Sequence, residues 1–337
     1  MNVLPLVSVV IPSYNCAKTI IKAVDSIFSQ DYPADKLEVI VVDDGSSDNT
    51  KEVLGAFRNK PNFRFIQKPH SGPADTRNYG WQAAGAEIVF FMDADCVANK
   101  DLLSKLIPGF NQPQVGAVTG SYGIIPGQGF LPNCIYQEIL LRHQRMPEFC
   151  RSFGSFNVAI KKEVLLKIGG FKTEFKEASA EDNELSYSLL KEGYRIRRVN
   201  SAKVLHYFPQ KLICYLVIQF RHGFWRALLY KMHPQMVFGD DYTQAKDIIE
   251  LVLIFVMLAL ALFSFFYSFL GIFSILVLGI YLVIQIPLAL QIALNQKDIR
   301  YLVLGGVTFL RGFARFLGLA KGWVYFYLKD KLPLKKC

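Results

Sequence analysis

Charge is scarce in this chain, and acid is scarcer than base. Only 20% of the 337 residues are charged, with 28 Asp and Glu against 38 Lys and Arg. Its six cysteines (Cys16, Cys96, Cys134, Cys150, Cys214 and Cys337) include no C-x-x-C pair. That argues against a zinc site and against a disulfide framework, and it fits a reduced cytosolic setting. No internal repeat, low-complexity tract or long linker interrupts residues 1–235. Met1 to Leu6 is apolar without a positive n-region, so it reads as lead-in to a strand rather than a signal peptide. Despite the net charge of +10, no nucleic-acid motif is present, and no nucleic-acid partner is expected.

What the chain has in excess is apolar sequence, at 52% of residues, and the excess is concentrated. From Ile248 to Leu294, Glu250 is the only ionisable carboxylate, and no basic residue occurs between Lys246 and Lys297. About 20 residues cross a bilayer core. Residues 246–295 are therefore expected to form two transmembrane helices, about 248–268 and 272–294, with a turn near Ser268 to Gly271. Arg221, Arg226, Lys231 and Lys246 precede this stretch, and Lys297, Arg300, Arg311, Arg315, Lys321, Lys329, Lys331, Lys335 and Lys336 follow it. Positive flanks stay cytoplasmic. This predicts a multi-pass protein of the plasma membrane, with residues 1–235 and the tail in the cytoplasm and the basic flanks drawn to anionic lipid.

Two further segments bear on the membrane. Tyr301 to Leu328 has the length of a span but carries Arg311, Arg315, Lys321 and five glycines. Charge at mid-span is costly, so 296–337 reads as interfacial helices and a basic tail, with a third span as the alternative. Leu212 to Tyr230 reads as an amphipathic helix docking on the lipid surface.

Residues 7–12 form a β-branched run closed by proline, and Ile20, Ile21, Val24, Ile27 and Phe28 follow at helical spacing. Leu37 to Val42 is a second strand leading through Asp43-Asp44-Gly45-Ser46 to a helix over 50–57. A third strand over 63–66, a helix over 73–84 and a fourth strand over 87–92 complete the pattern. Strands alternating with helices predict βαβ units and a mostly parallel, Rossmann-like sheet flanked by helices.

The fourth strand, Ile88 to Met92, ends in Asp93-Ala94-Asp95. Alone the triplet is weak: Asp-x-Asp recurs by chance about once per 400 residues, and turns favour Asp. Its position strengthens it, because ligands of such sheets sit beyond the carboxyl ends of the strands. Ser13-Tyr14-Asn15 and Asp43-Asp44 fall at the same edge. Paired acids there offer hard oxygen ligands to a divalent cation and its phosphates.

VSVVIPSYN, VIVVDDGSSDNT, GPADTRNYGWQAAGAEIVFFMDADC, GSFNVAIKKEVLLKIGGF and EDNELSYSLLKEGY stand in this order over residues 7 to about 207. The chain resembles the family 2 glycosyltransferases of the GT-A fold. The resemblance implies transfer of a sugar from a nucleotide diphosphate donor, with inversion and with Mn²⁺ or Mg²⁺. It assigns Pro12, Tyr14, Asn15, Asp43, Arg77 and Asp93 to the donor nucleotide, although many relatives carry Glu where Asn15 stands. Asp44 and Ser46 are expected to order their turn. Asp95, with Asp93, resembles the metal-ligating acid, and His206 is a candidate third ligand beside its reading as a structural histidine. Gly154 to Asn157 resembles the acceptor side, with Asn157 and Glu181 placed there, while Gly169 and Gly170 read as a packing turn.

A sugar hydroxyl is a poor nucleophile and needs a base, and the resemblance points to Asp182. Ser179-x-x-Asp182 also reads as a capping-box-like pattern. Gln219 to Arg226 lies where processive synthases carry Q-x-x-R-W but does not match it, which counts against cellulose-synthase-like extension. The expected activity is transfer, from UDP on family grounds, to a hydroxyl of a lipid-linked saccharide or glycolipid in cell-surface glycan synthesis. Two alternatives stand beside it: a polyprenyl-phosphate glycosyltransferase, and a non-catalytic nucleotide-binding membrane scaffold.

Overall fold

The computed structural model describes residues 4–328. The anticipated basic tail, Lys329 to Lys336, lies outside the described residues. The chain divides into two compact units. One runs up to Gln128 and resumes over Arg142–Phe208; the other comprises Gly129–Leu141 and the residues from Pro209 on. The boundary differs from the expected 1–235, because 129–141 and the helix after Pro209 pack with the C-terminal helices.

In the first unit the expected strands are present as β1 (Val7–Ser13), β2 (Leu37–Asp43), β3 (Phe63–Gln67) and β4 (Ile88–Met92). Between them lie α1 (Ile20–Phe28), α2 (Thr50–Val53) and α3 (Pro73–Ala83). β1 pairs in parallel with β2 and β4, and β2 with β3. Alternation along each strand feeds two cores. Val9, Ile11, Phe90 and Met92 pack on one face with Ile20, Val24 and Ile27 of α1. Val10, Val89 and Phe91 pack on the other with Trp81 of α3. Burial on both faces explains why these strands read as unbroken apolar runs, and each such side chain contributes roughly 1.5–3 kcal/mol.

Beyond β4 the sheet is mixed, which corrects the mostly parallel expectation for that half. The later elements are β5 (Cys96–Ala98), α4 (Leu102–Leu106), β6 (Val115–Ile124), α5 (Phe130–Arg145), β7 (Phe149–Cys150), β8 (Asn157–Lys161), α6 (Lys162–Ile168), α7 (Glu181–Lys191) and β9 (Arg195–His206). The order is β3-β2-β1-β4-β8-β6-β9-β5, with β7 on β9. β8 is antiparallel to β4 and β6, and β5 is antiparallel to β9. This last pairing sets Cys96 opposite His206.

The second unit is helical: α8 (Leu212–Met232), α9 (Ala245–Phe263), α10 (Leu270–Val283), α11 (Ile286–Gln296) and α12 (Val303–Trp323). α8 and α12 run in the same direction with their backbones in contact. Gly318 faces the Phe220 carbonyl and Gly322 the Phe224 carbonyl, leaving no room for a Cβ. Arg315 Nε donates to Gln219 Oε1 at 2.7 Å, and Lys231 Nζ to the Phe326 carbonyl at 2.7 Å. Among the described residues, two helical stretches are long and apolar enough to cross a membrane, Leu270–Gln296 and Ile299–Leu328. The first covers the expected second span. The expected first span falls on α9, whose opening turns carry Lys246, Asp247 and Glu250, and the second stretch is the segment expected to be interfacial.

Candidate active site

The turns after β1 and β2 are stitched together by short polar side chains. Asp43 is fully buried, and its carboxylate accepts from Ser46 Oγ at 2.5 Å, Ser46 N at 3.1 Å and Ser13 Oγ at 3.3 Å. Asn15 has φ +52°, the left-handed region that Asn tolerates best after Gly. Its Oδ1 accepts from Ser47 N at 2.8 Å and Asp48 N at 3.3 Å. A backbone reason therefore favours Asn at this position. Tyr14, half exposed, stacks on His70 with ring centroids 4.3 Å apart. Pro12 lies just beneath, within β1.

Asp44 organises the approach to α3. It pairs with Lys68 Nζ at 2.5 Å and with His70 Nδ1 at 2.9 Å, and it accepts from the backbone of Ser71 and Gly72. Burial works against its charge, yet the Lys68 ammonium and these N–H donors hold its carboxyl below the ordinary range. Lys68 and His70 were missed in the sequence because their partners are more than twenty residues away. The Lys68-Pro69-His70-Ser71-Gly72 stretch after β3 was the available signal.

Arg77 is the centre of the arrangement. It is buried on α3, and Nη1 donates to Glu181 Oε1 at 2.9 Å while Nη2 donates to Asp93 Oδ1 at 2.8 Å. Gly80, one turn on, lets α3 lie against Val10, where a Cβ would collide. One guanidinium thus joins the first acid after β4 to the start of α7. Burial opposes its charge, but Asp93 and Glu181 keep it protonated. Asn78 beside it is structural, bridging the backbone N–H and carbonyl of Phe171.

α7 begins at Glu181 after Ala180, which has φ +72° and offers no side-chain cap. Ser179 N donates to Glu181 Oε2 at 2.6 Å. The first turn holds Glu181, Asp182 and Glu184 where the helix dipole favours negative charge. Asp182 is half-buried, and burial, followed by the neighbouring Glu181 charge, pushes its carboxyl up to about 7. Its carboxylate accepts from Asn183 N at 2.8 Å and from the backbone of Ser155. Phe153 N donates to Ser186 Oγ, tying the 153–157 loop to the same helix. Asn157 is fully buried, and its Nδ2 spans the carbonyls of Ser121 and Ala202. These contacts tie β8 to β6 and β9.

Asp95, half exposed, lies 3.3 Å from His206 Nε2. The pairing of β5 with β9 brings them together, and Tyr122 and Phe208 pack edge-on against the imidazole. Burial raises the Asp95 carboxyl, but the adjacent His206 outweighs it and holds it low. For His206 burial pulls the other way, and Asp95 raises it above its ordinary value. A carboxylate and an imidazole nitrogen converging on one point, with Asp93 two residues away, are a donor set that fits a divalent cation.

A description of glycosyl transferase family 2 matches residues 8–160, and one of glycosyl transferase family group 2 matches residues 88–295. The chain belongs to the family 2 glycosyltransferases. Within that family it is 30% identical over 210 residues to the probable glycosyltransferase YdaM of Bacillus subtilis (strain 168), covering 58% of this chain and 49% of that protein. It is 28% identical over 228 residues to a poly-beta-1,6-N-acetyl-D-glucosamine synthase of Staphylococcus epidermidis, covering 65% and 52%. The chain spans about half the length of these relatives. Among solved structures, the mannosyltransferase PcManGT from Pyrobaculum calidifontis, in complex with GDP-Man and Mn²⁺, shares the fold with a TM-score of 0.63. That likeness has 21% identity and covers 98% of this chain and 89% of that one.

Proposed function

We propose that this protein is an inverting glycosyltransferase that moves a sugar from a UDP-linked donor to a hydroxyl of a lipid-linked saccharide or glycolipid at the cytoplasmic face of the plasma membrane. The observation that carries the reading is the Glu181–Arg77–Asp93 bridge, which joins the helix start bearing Asp182 to the acid pair. Asp182, with a carboxyl near 7, is poised to take the acceptor proton at neutral pH. A phosphate acceptor is already anionic there, so a tuned base favours a hydroxyl. The Tyr14–His70 stack supplies an aromatic face for the donor base, with Asp43 holding the turn beneath it.

Asp95, His206 and Asp93 would hold Mn²⁺ or Mg²⁺. A cation bound there supplies Lewis-acid stabilisation of the departing diphosphate. N-acetylglucosamine is the first sugar to test, because poly-beta-1,6-N-acetyl-D-glucosamine synthases and the poly(ribitol-phosphate) beta-N-acetylglucosaminyltransferase TarS are among the relatives.

The apolar helices support a membrane-anchored reading. Leu270–Gln296 is the best span, and α9 packs beside it, with Ser274 Oγ donating to the Met257 carbonyl. α12 lies backbone to backbone with α8, which carries Arg221, His222, Arg226 and Lys231, so the two share one environment. Three cationic side chains in eleven residues, Arg221, Arg226 and Lys231, suit an interface better than a bilayer core.

The test is nucleoside diphosphate release by the purified full chain from a panel of sugar nucleotides with Mn²⁺, with and without membrane lipid extract. Lipid-stimulated release from a UDP-sugar is expected, and Asp182→Asn should cut it by about 10²–10⁴-fold. No release from any donor, or near-wild-type turnover by folded Asp182→Asn, would sink the assignment.

A further inference from the structure

One side chain at the cation site has no use for Mn²⁺ or Mg²⁺. Cys96 follows Asp95 directly and stands opposite His206 in the antiparallel β5–β9 pair. Directly opposed residues of such a pair project to the same face, with Cβ atoms about 4.5–5.5 Å apart. The Cys96 Sγ lies 4.0 Å from Asp95 Oδ1, and His206 Nε2 lies 3.3 Å from Asp95 Oδ2. One ligand atom from each of the three residues falls within 4.8 Å of the others. Zinc bonds of roughly 2.0–2.3 Å set ligand atoms about 3.5 Å apart in a tetrahedron. Small side-chain adjustments would therefore close the set around one ion.

We propose that Asp95, Cys96 and His206 form a thiolate-containing site for thiophilic divalent cations of the Zn²⁺ class, in competition with the hard cation that supports transfer. The inference rests on the reading of this edge as the cation site. Mn²⁺ and Mg²⁺ are served by carboxylate, imidazole, water and diphosphate oxygens and leave the buried thiol protonated. Zn²⁺ binds by forming a metal–sulfur bond while the thiol proton leaves to solvent, with no change of oxidation state. A soft sulfur ligand adds affinity for Zn²⁺ and nearly none for Mn²⁺ or Mg²⁺. Three protein ligands then hold the ion at Asp95 whether or not a donor is present, so Zn²⁺ is an inhibitor that excludes the productive cation.

The full chain without donor is titrated with Co²⁺, a spectroscopic substitute for Zn²⁺. A near-ultraviolet thiolate-to-cobalt charge-transfer band is expected in the wild type and in Cys16→Ser and Cys214→Ser, and should vanish in Cys96→Ser. In Cys96→Ser, Zn²⁺ affinity measured against a chromophoric chelator should fall by more than about tenfold, the least that even an outer-shell partner is worth, with Mn²⁺ affinity little changed. Should Cys96→Ser fail to fold, X-ray absorption on the Zn²⁺-loaded wild type decides: one sulfur neighbour at about 2.3 Å is expected, and only nitrogen and oxygen neighbours would overturn the proposal. Mn²⁺ binding without a cobalt–thiolate band, or a band that persists in Cys96→Ser, also overturns it and leaves the hard-cation reading intact. A Cys96-dependent band in a protein whose transfer ignores Mn²⁺ and Mg²⁺ supports this site and refutes that reading instead.

Discussion

Two arginines, one in each unit, are equally buried and are used in opposite ways. Arg77 spends Nη1 and Nη2 on two acids from different elements, and one of them, Asp93, remains 30% exposed at the open edge of the sheet. Arg311 of α12 spends Nη1 on both oxygens of Glu138, itself buried. The first guanidinium ties a half-exposed acid at the sheet edge to a buried one at the start of α7. The second fastens residues 129–141 into the helical unit. Burying such a pair costs several kcal/mol in desolvation, offset by charge attraction and hydrogen bonds where the geometry is good.

Apolar replacement is the strongest way to break this contrast. Arg311→Met removes the cation paired with the buried Glu138 carboxylate and should cost about 3–5 kcal/mol, read as a lowered thermal midpoint in detergent. Adding Glu138→Leu should recover most of that loss, because a buried pair exchanged for packed apolar side chains is often neutral or better. The matching exchange at Arg77 should leave transfer dead whatever it does to stability. If Arg311→Met with Glu138→Leu stays as unstable as the single variant, fastening is the wrong account of Arg311.

Arg77→Lys tests the other side. A single ammonium keeps the charge but cannot hold Asp93 and Glu181 in one planar fork. Misplacing reacting groups by about 1 Å costs roughly 10²-fold, so kcat/KM should drop by about that factor with little change in the thermal midpoint. An equal loss on both readouts would make Arg77 a second fastener.

Within α12 the same contrast can be drawn at glycine. Gly318→Ala sets a Cβ against the Phe220 carbonyl and should cost about 1–3 kcal/mol through overpacking. Gly306, exposed, with nothing within 4 Å of its added Cβ, should behave oppositely. Gly306→Ala is expected to stabilise by up to about 1 kcal/mol through helix propensity. Thermal midpoints that move the same way in both variants would refute a close α8–α12 contact.

Legibility followed locality. β1 to β4 were readable because burial on both faces leaves continuous β-branched and aromatic runs, and their C-terminal acids named the edge. β9 was not: Arg195, Arg197, Arg198 and Lys203 give it the look of a loop, although Ile196, Ala202 and Val204 are fully buried. Arg77, Asp93, Glu181 and Asp182 were each picked out by motif, but the bridge joining them spans 104 residues and leaves no periodic trace. The Tyr14–His70 stack and the Arg311–Glu138 pair were invisible for the same reason. The apolar helices announced themselves by composition, whereas the sharing of one environment by α8 and α12 depends on glycines that only the packing explains.

Asp182 offers the smallest effect and the sharpest sign. If it is the base, kcat/KM should fall about tenfold per pH unit below 7 and level off above. Stability should move the other way. The folded carboxyl is raised above its ordinary 3.8, so between about pH 4 and pH 7 the native state holds a proton that the unfolded chain has released. Its contribution is complete below that range and is lost as pH rises through about 7. Asp182→Asn removes the buried charge, so its thermal midpoint should match wild type below about pH 4 and exceed it at pH 8. A residue that fitted the fold alone would link the two readouts with the same sign. Activity rising while the wild-type midpoint falls relative to Asp182→Asn, over the same pH interval, is the signature of an acid held at a cost in stability for the proton it must take.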